Sequence, residues 1–149
     1  MPETTVTPCP RDIFERMRRH WLENPGGIGG ELAEDAVIEI PFAPSGRTRR
    51  YEGREAFLHF AGPEQAAFVR EFRFDEVRDV VIHETTDPEV IVVEYELAGT
   101  VIATGHQAAS AFIGILRARD GKIVHWREYQ NTLAMIEVLG PMSGAENLR

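Results

Sequence analysis

From Phe72 onward the chain is one β-branched run after another, separated by short polar turns. Residues 72–82 lead into Thr86-Asp87-Pro88-Glu89, residues 90–97 into Ala98-Gly99-Thr100, residues 107–117 into Asp120-Gly121, and residues 123–131 close the series. Strands joined this closely pair antiparallel, because a parallel neighbour needs a crossover of about a dozen residues or more. Asp120-Gly121, flanked by alternating apolar residues, is the strongest of these hairpin signals. The second half of the chain is therefore an antiparallel sheet, and the first half has to cover it.

Three helices are expected to do so. Behind Asp12, read as a cap, Ile13, Phe14, Met17, Trp21 and Leu22 form one apolar stripe, which ends at Asn24-Pro25-Gly26-Gly27. A short second helix is expected over 28–33. The first strand, residues 36–42, follows, with Pro41 marking a sheet edge or a bulge. Gly53 precedes a third helix over 54–61, which Pro63 interrupts before one more turn through Phe68. A last helix over 132–139 stops at Gly140. Helices first and strands after them define an α+β class. The expected architecture is a curved antiparallel sheet with three N-terminal helices across its concave side and a short C-terminal helix. Residues 12–140 form the single domain, 1–11 a mobile arm and 141–149 a disordered tail.

A formal net charge of −8 repels phosphate backbones and anionic lipid, so nucleic acid and membranes are not expected partners. Cys9 is the single cysteine, which excludes an intrachain disulfide and a zinc ribbon and suits the reducing cytoplasm. The N-terminal residues carry no leader pattern, and no window reaches the length of a spanning helix. No phosphate-binding glycine motif is present, so no nucleotide cofactor is expected, and the five histidines are too scattered for a metal site. Arg47, Arg49, Arg50 and Arg54 read as a solvated loop. Ile91-Val92-Val93 and Ala111-Phe112-Ile113 are apolar on both faces, which points to a homodimer through the sheet's outer face.

Three stretches carry a family resemblance: residues 32–41, Tyr51-Glu52-Gly53-Arg54-Glu55-Ala56, and residues 120–129. In their order and spacing they resemble the nuclear transport factor 2-like superfamily, and the last stretch resembles its SnoaL-like and phenazine-biosynthesis A/B branches. The resemblance implies a cone-shaped α+β fold around a pocket for a hydrophobic small molecule. It covers enzymes and non-enzymatic binders alike, so the fold by itself implies no reaction. In ketosteroid isomerases a general-base Asp precedes the proline of the first long strand; here Ile40 stands at that place. Glu34 and Asp35 read as solvated residues of a turn.

Glu128 is the carboxylate that alternation singles out. It shares a strand face with Trp126 and lies opposite Ile113 or Phe112, depending on whether the hairpin loop holds two residues or three. Apolar neighbours raise a carboxyl pKa toward neutrality, the condition for general acid/base work. The resemblance adds that Arg127-Glu128-Tyr129 matches the phenazine branch at a pocket acid, and that His59 lies within about one position of a pocket histidine. Glu128 and His59 are the candidate catalytic residues. Trp21, Phe42, Phe57, Phe60 and Trp126 are the candidate ligand-binding aromatics. Two functions remain open: a cofactor-independent isomerase or cyclase acting on a hydrophobic carbonyl compound, and a binding module without turnover.

Overall fold

The computed structural model describes residues 6–139 apart from 26, 28 and 45. The element order is α1 (Pro10–Glu23), β1 (Leu32–Ile40), β2 (Arg49–Glu52), α2 (Arg54–Glu71), β3 (Phe72–Glu84), β4 (Val90–Val101), β5 (Gln107–Arg119), β6 (Lys122–Gln130) and α3 (Thr132–Leu139). Among the described residues two helices, not three, precede the long strands. Ile28 lies outside the described residues, but Leu32 and Ala33 already belong to β1, with Leu32 buried and paired to Ile123. Burial of Leu32 against the sheet thus overrides the short helix expected there.

The expected third helix and the turn after Pro63 merge into one 18-residue helix, α2. Proline removes one hydrogen bond to the carbonyl four residues back. Pro63 and His59 are both exposed, so water can take that carbonyl and the helix continues. At α1 the cap is Cys9 and not Asp12. Pro10 opens the first turn, and Asp12 reaches back to accept from the Cys9 backbone N–H at 3.2 Å and from its Sγ at 3.1 Å. The arm expected over 1–11 therefore meets α1 at Pro10, while residues 1–5 and the tail expected over 141–149 lie outside the described residues.

The six strands form an open sheet in the order β2-β1-β6-β5-β4-β3. It is not antiparallel throughout, because β1 runs parallel to β6. The intervening chain of four strands and a helix supplies the long crossover that a parallel pair requires. Ile13, Phe14 and Met17 of α1 pack into a core with Ile38, Ile91, Val93, Leu116, Ile123 and Trp126. Each large side chain buried there contributes about 1.5–3 kcal/mol.

The β5–β6 hairpin sets the register that matters for function. Arg119 pairs with Lys122 across a two-residue turn in which Asp120 has φ 52° and Gly121 φ 78°, as a type I′ turn demands. A bulge follows: Ala118 pairs with Ile123 and Arg117 with His125, leaving Val124 as the extra residue. The bulge brings Ile123 into the core beside Trp126, although plain alternation assigns them to opposite faces. It also moves Glu128 opposite Gly114, rather than Ile113 or Phe112.

A Cβ added at Gly114 would stand 2.3 Å from the end of the Trp126 ring. Gly114→Ala is therefore expected to destabilise the fold by about 1–3 kcal/mol through overpacking. Urea unfolding that returns wild-type stability would show that the indole does not rest on that glycine.

Candidate active site

Glu128 leaves β6 on the core side of the sheet, and a tyrosine two strands away reaches it. Tyr95 of β4 lies opposite Phe112, and Glu128 lies opposite Gly114, so the contact runs diagonally over β5 at the position that has no side chain. The Tyr95 hydroxyl donates to Glu128 Oε1 at 2.5 Å. Aromatic rings fix the tyrosine: Phe112 stacks on it at 5.4 Å and 11°, Trp21 lies at 5.3 Å and Phe14 at 5.7 Å. Tyr95 itself is buried.

Glu128 keeps part of its surface accessible, yet the protein packed around its carboxyl group desolvates it. Burial raises its pKa above the ordinary carboxylate range, and the Tyr95 hydrogen bond offsets part of that rise. Burial, with the nearby Glu128 charge second, holds the Tyr95 hydroxyl well above its usual value. The tyrosine therefore stays a donor to the carboxyl.

The other candidates divide among three places. Trp126 is buried beside Glu128 on β6, and Trp21 covers Tyr95 from the last turns of α1. Phe57 and Phe60 group instead with Tyr51, at 5.5 Å and 6.5 Å. His59 belongs with them: it is exposed on α2 and meets Phe60 edge-on at 5.0 Å. Phe42 is 57% exposed and packs on Tyr129, which leaves β6 on the face away from Glu128. It lines two surface clefts, of about 450 Å³ against Thr132 and Leu133 and of about 400 Å³ against Ile113 and Tyr129; Glu128 lines neither.

Tyr95, Phe112 and Gly114 are site residues that the sequence reading did not select. A signal for Tyr95 was there, since Glu94 and Glu96 facing outward place the residue between them on the side of Ile91 and Val93. Glu34 and Asp35 are exposed as expected, but they lie within β1 and not in a turn. Among the clustered arginines, Arg49 pairs with Glu64, Arg50 with Glu39 and Glu52, and Arg54 donates to the Leu32 carbonyl. Three histidines each meet a different carboxylate: His20 with buried Glu31, His83 with Glu94 and His125 with Glu39. Among the described residues no group of three His, Cys, Asp or Glu side chains is placed to hold a metal ion.

The chain belongs to the SnoaL-like family of the nuclear transport factor 2-like superfamily, whose domain matches residues 11–126. It is 33% identical over 115 residues to an uncharacterised PhzA/B-like protein of Pseudomonas aeruginosa, covering 76% of this chain and 77% of that one. A crystal structure of a proposed isomerase from Bacillus subtilis is similar with a TM-score of 0.75 at 25% identity, over 88% of this chain and 92% of the other. A proposed polyketide cyclase from Streptomyces antibioticus shares the fold with a TM-score of 0.62 at 22% identity, over 88% and 98% of the two chains.

Two titrations test this electrostatic arrangement. Tyr95→Phe removes the hydrogen bond that lowers the Glu128 carboxyl, so the Glu128 pKa is expected to rise further, read by carbon-13 NMR of the side-chain carboxyls. No shift, or a downward one, contradicts the geometry. Because folding raises this pKa, the buried charge destabilises the protein above the raised value. That cost disappears as pH falls through the unfolded value near about 4.3. Glu128→Gln should therefore stabilise the protein more at pH 8 than at pH 4.

Proposed function

We propose that this protein is a cofactor-independent isomerase or cyclase that moves a proton on a hydrophobic, carbonyl-bearing small molecule, with Glu128 as the acid/base. The observation that carries the reading is the desolvated Glu128 carboxyl held by the Tyr95 hydroxyl among aromatic rings. A carboxyl pushed toward neutrality can take a proton from a carbon next to a carbonyl and return it elsewhere, which contributes typically 10²–10⁴-fold in rate. Tyr95 fixes which oxygen of Glu128 stays free to do so. Trp21 and Trp126 provide the apolar wall, Phe57 packs against the same core, and Phe60 and Phe42 are exposed outside it. Membership of the SnoaL-like family and the likeness to a proposed isomerase support this class of chemistry.

A second reading, a ligand-binding module without turnover, rests on Ile40, which precedes Pro41 and offers no base. Both readings place the protein in the cytoplasm, where its lone thiol stays reduced, and neither calls for nucleic acid given the net charge of −8. No helix among the described residues is long and apolar enough to cross a membrane.

We also propose a homodimer through the outer face of the sheet. Ile113 is 43% exposed and Val81 47% exposed there, with Ile115, Val92 and Tyr129 beside them in the same rows. A sheet face bearing such a patch is unusual for a monomer. Light scattering at tens of micromolar is expected to return about twice 16.8 kDa, and Ile113→Lys about 16.8 kDa. A wild-type monomer contradicts the dimer.

Proton transfer is testable without knowing the natural substrate. A panel of aromatic ketones and β-keto compounds is screened for binding by tryptophan fluorescence, and bound members are incubated in deuterated water. Wild type is expected to catalyse exchange of the protons next to the carbonyl. Glu128→Gln should lose roughly 10²–10⁴-fold of that rate while its affinity stays largely unchanged. His59→Ala, changed on the α2 surface, should alter the rate less than about threefold. Binding without exchange by wild type at every pH establishes the second reading.

A further inference from the structure

The two long helices on the inner face of the sheet meet it in different ways. Under α1, Ile13 and Phe14 are fully buried and Met17 nearly so. The 18-residue α2 buries none of its side chains, although Phe57, Ala61, Gln65 and Phe68 are half-buried along one side of it. Its ends account for the difference. α2 packs on β2 and β1 at one edge of the sheet and on β3 at the other, so it spans the strands between them. A helix of 18 residues is about 27 Å long, close to the about 24 Å across six strands. A straight helix across a curved sheet is a chord over an arc, and its middle stands off the strands.

A row of three side chains faces that space. Arg49 of β2 pairs with Ile40 of β1. Glu39 lies beside Arg127 on the parallel strand, so the next positions, Ile40 and Glu128, are neighbours too. The adjacent row of Ile38, Trp126 and Leu116 is buried, whereas Arg49, Ile40 and Glu128 are each half-buried. Among the described strand residues Arg49 is also the arginine on the inner face; those at 50, 73, 78, 117, 119 and 127 alternate to the outer one. Arg49 Nη1 donates to Glu64 Oε2 of α2 at 3.0 Å, and the two side chains are 37% and 62% exposed. An ion pair this exposed adds little to the fold, and a guanidinium has five N–H donors to offer.

We infer that Arg49 is the anion-binding end of the pocket: a ligand carboxylate takes the place of Glu64 on Arg49, its apolar middle crosses Ile40, and its carbonyl end reaches Glu128. This rests on the reading of Glu128 as the acid/base and names the substrate class that reading leaves open, a keto acid whose carboxylate is remote from the reacting carbon. Glu64 shows the kind of group Arg49 takes, and one guanidinium balances one negative charge. The planar fork of N–H groups matches a carboxylate with two parallel hydrogen bonds. Arg49 and Glu128 stand two strands apart, with about 9–10 Å between their Cα atoms, which suits a spacer as long as one aromatic ring. Ile40 keeps the cation away from the carboxyl, so the anion is held at one end of the row and the proton moves at the other.

A matched pair of ligands reads this directly. 4-Acetylbenzoate carries its carboxylate and its ketone at opposite ends of one ring, and methyl 4-acetylbenzoate is the same ketone without the charge. Calorimetry is expected to show the acid binding wild type about 10–100-fold tighter than the ester, with the preference shrinking as sodium chloride is added. In Arg49→Met the preference should collapse to within about threefold. In Glu64→Gln, which removes the internal competitor, it should grow about threefold or more. Circular dichroism confirms that both variants are folded. An acid that binds wild type no tighter than its ester, absent binding included, overturns the anion end, as does a preference that survives Arg49→Met. Deuterium exchange is read on the same complexes. Ester exchange that depends on Glu128, without any preference for the acid, removes the role of Arg49 and leaves the acid/base. A preference that depends on Arg49, without exchange of either ligand, removes the acid/base and leaves the anion end to a binding module.

Discussion

The hydrogen bond from Tyr95 to Glu128 crosses β5 above Gly114, where even a methyl group would collide with the Trp126 indole. Three features converge on that one position. The type I′ turn at Asp120-Gly121 begins the pairing, the extra residue Val124 shifts it by one, and Gly114 leaves room for the two groups that meet there. Without the bulge, Glu128 would lie opposite Ile113, whose side chain points outward, and the carboxyl would leave the core. The dry environment of Glu128 is thus a property of a hairpin register more than of any one neighbour.

Much of this was legible locally. The apolar stripe of α1, the turns between the long strands and the Trp126/Glu128 face follow from short-range patterns, because helical and strand periodicities act over a few residues. What was not legible involves partners far apart in the chain. The parallel contact of β1 with β6 joins Glu39 to Arg127, and nothing in either segment alone announces it. Leu32 enters a strand because Ile123 is beside it, and α2 runs through Pro63 because its freed carbonyl meets water. The bulge at Val124 has no composition of its own. Tyr95 could have been placed inward from Glu94 and Glu96, but its bond to Glu128 depends on strand order and register together.

The two faces of the sheet use charge in different ways. Outside, the pairs of β3 with β4 are half-exposed and screened by solvent, so they add little to stability. Glu39 differs, being 6% exposed and held by His125, Arg127 and Arg50. Removing the partners of such a carboxylate leaves a shielded charge uncompensated and destabilises the fold. That cluster ties β2, β1 and β6 together at the one parallel junction, where the pairing is slightly weaker per residue.

Glu39 and Glu128 are both withdrawn from water on neighbouring strands, and their surroundings push their pKa values in opposite directions. His125 and then Arg127 hold Glu39 below the usual carboxylate range, whereas burial lifts Glu128 above it. The separation comes from alternation at Arg127-Glu128. The guanidinium points outward to Glu39 and the carboxyl inward to the aromatic rings, so the nearest cation in sequence is kept away from Glu128. Among the described residues on the inner face the neutral Tyr95 hydroxyl answers the charge, and it offsets desolvation in part. The two carboxyls thus differ through their surroundings alone: three basic side chains answer Glu39 on the outer face, while a single hydroxyl held among aromatic rings meets Glu128 on the inner one.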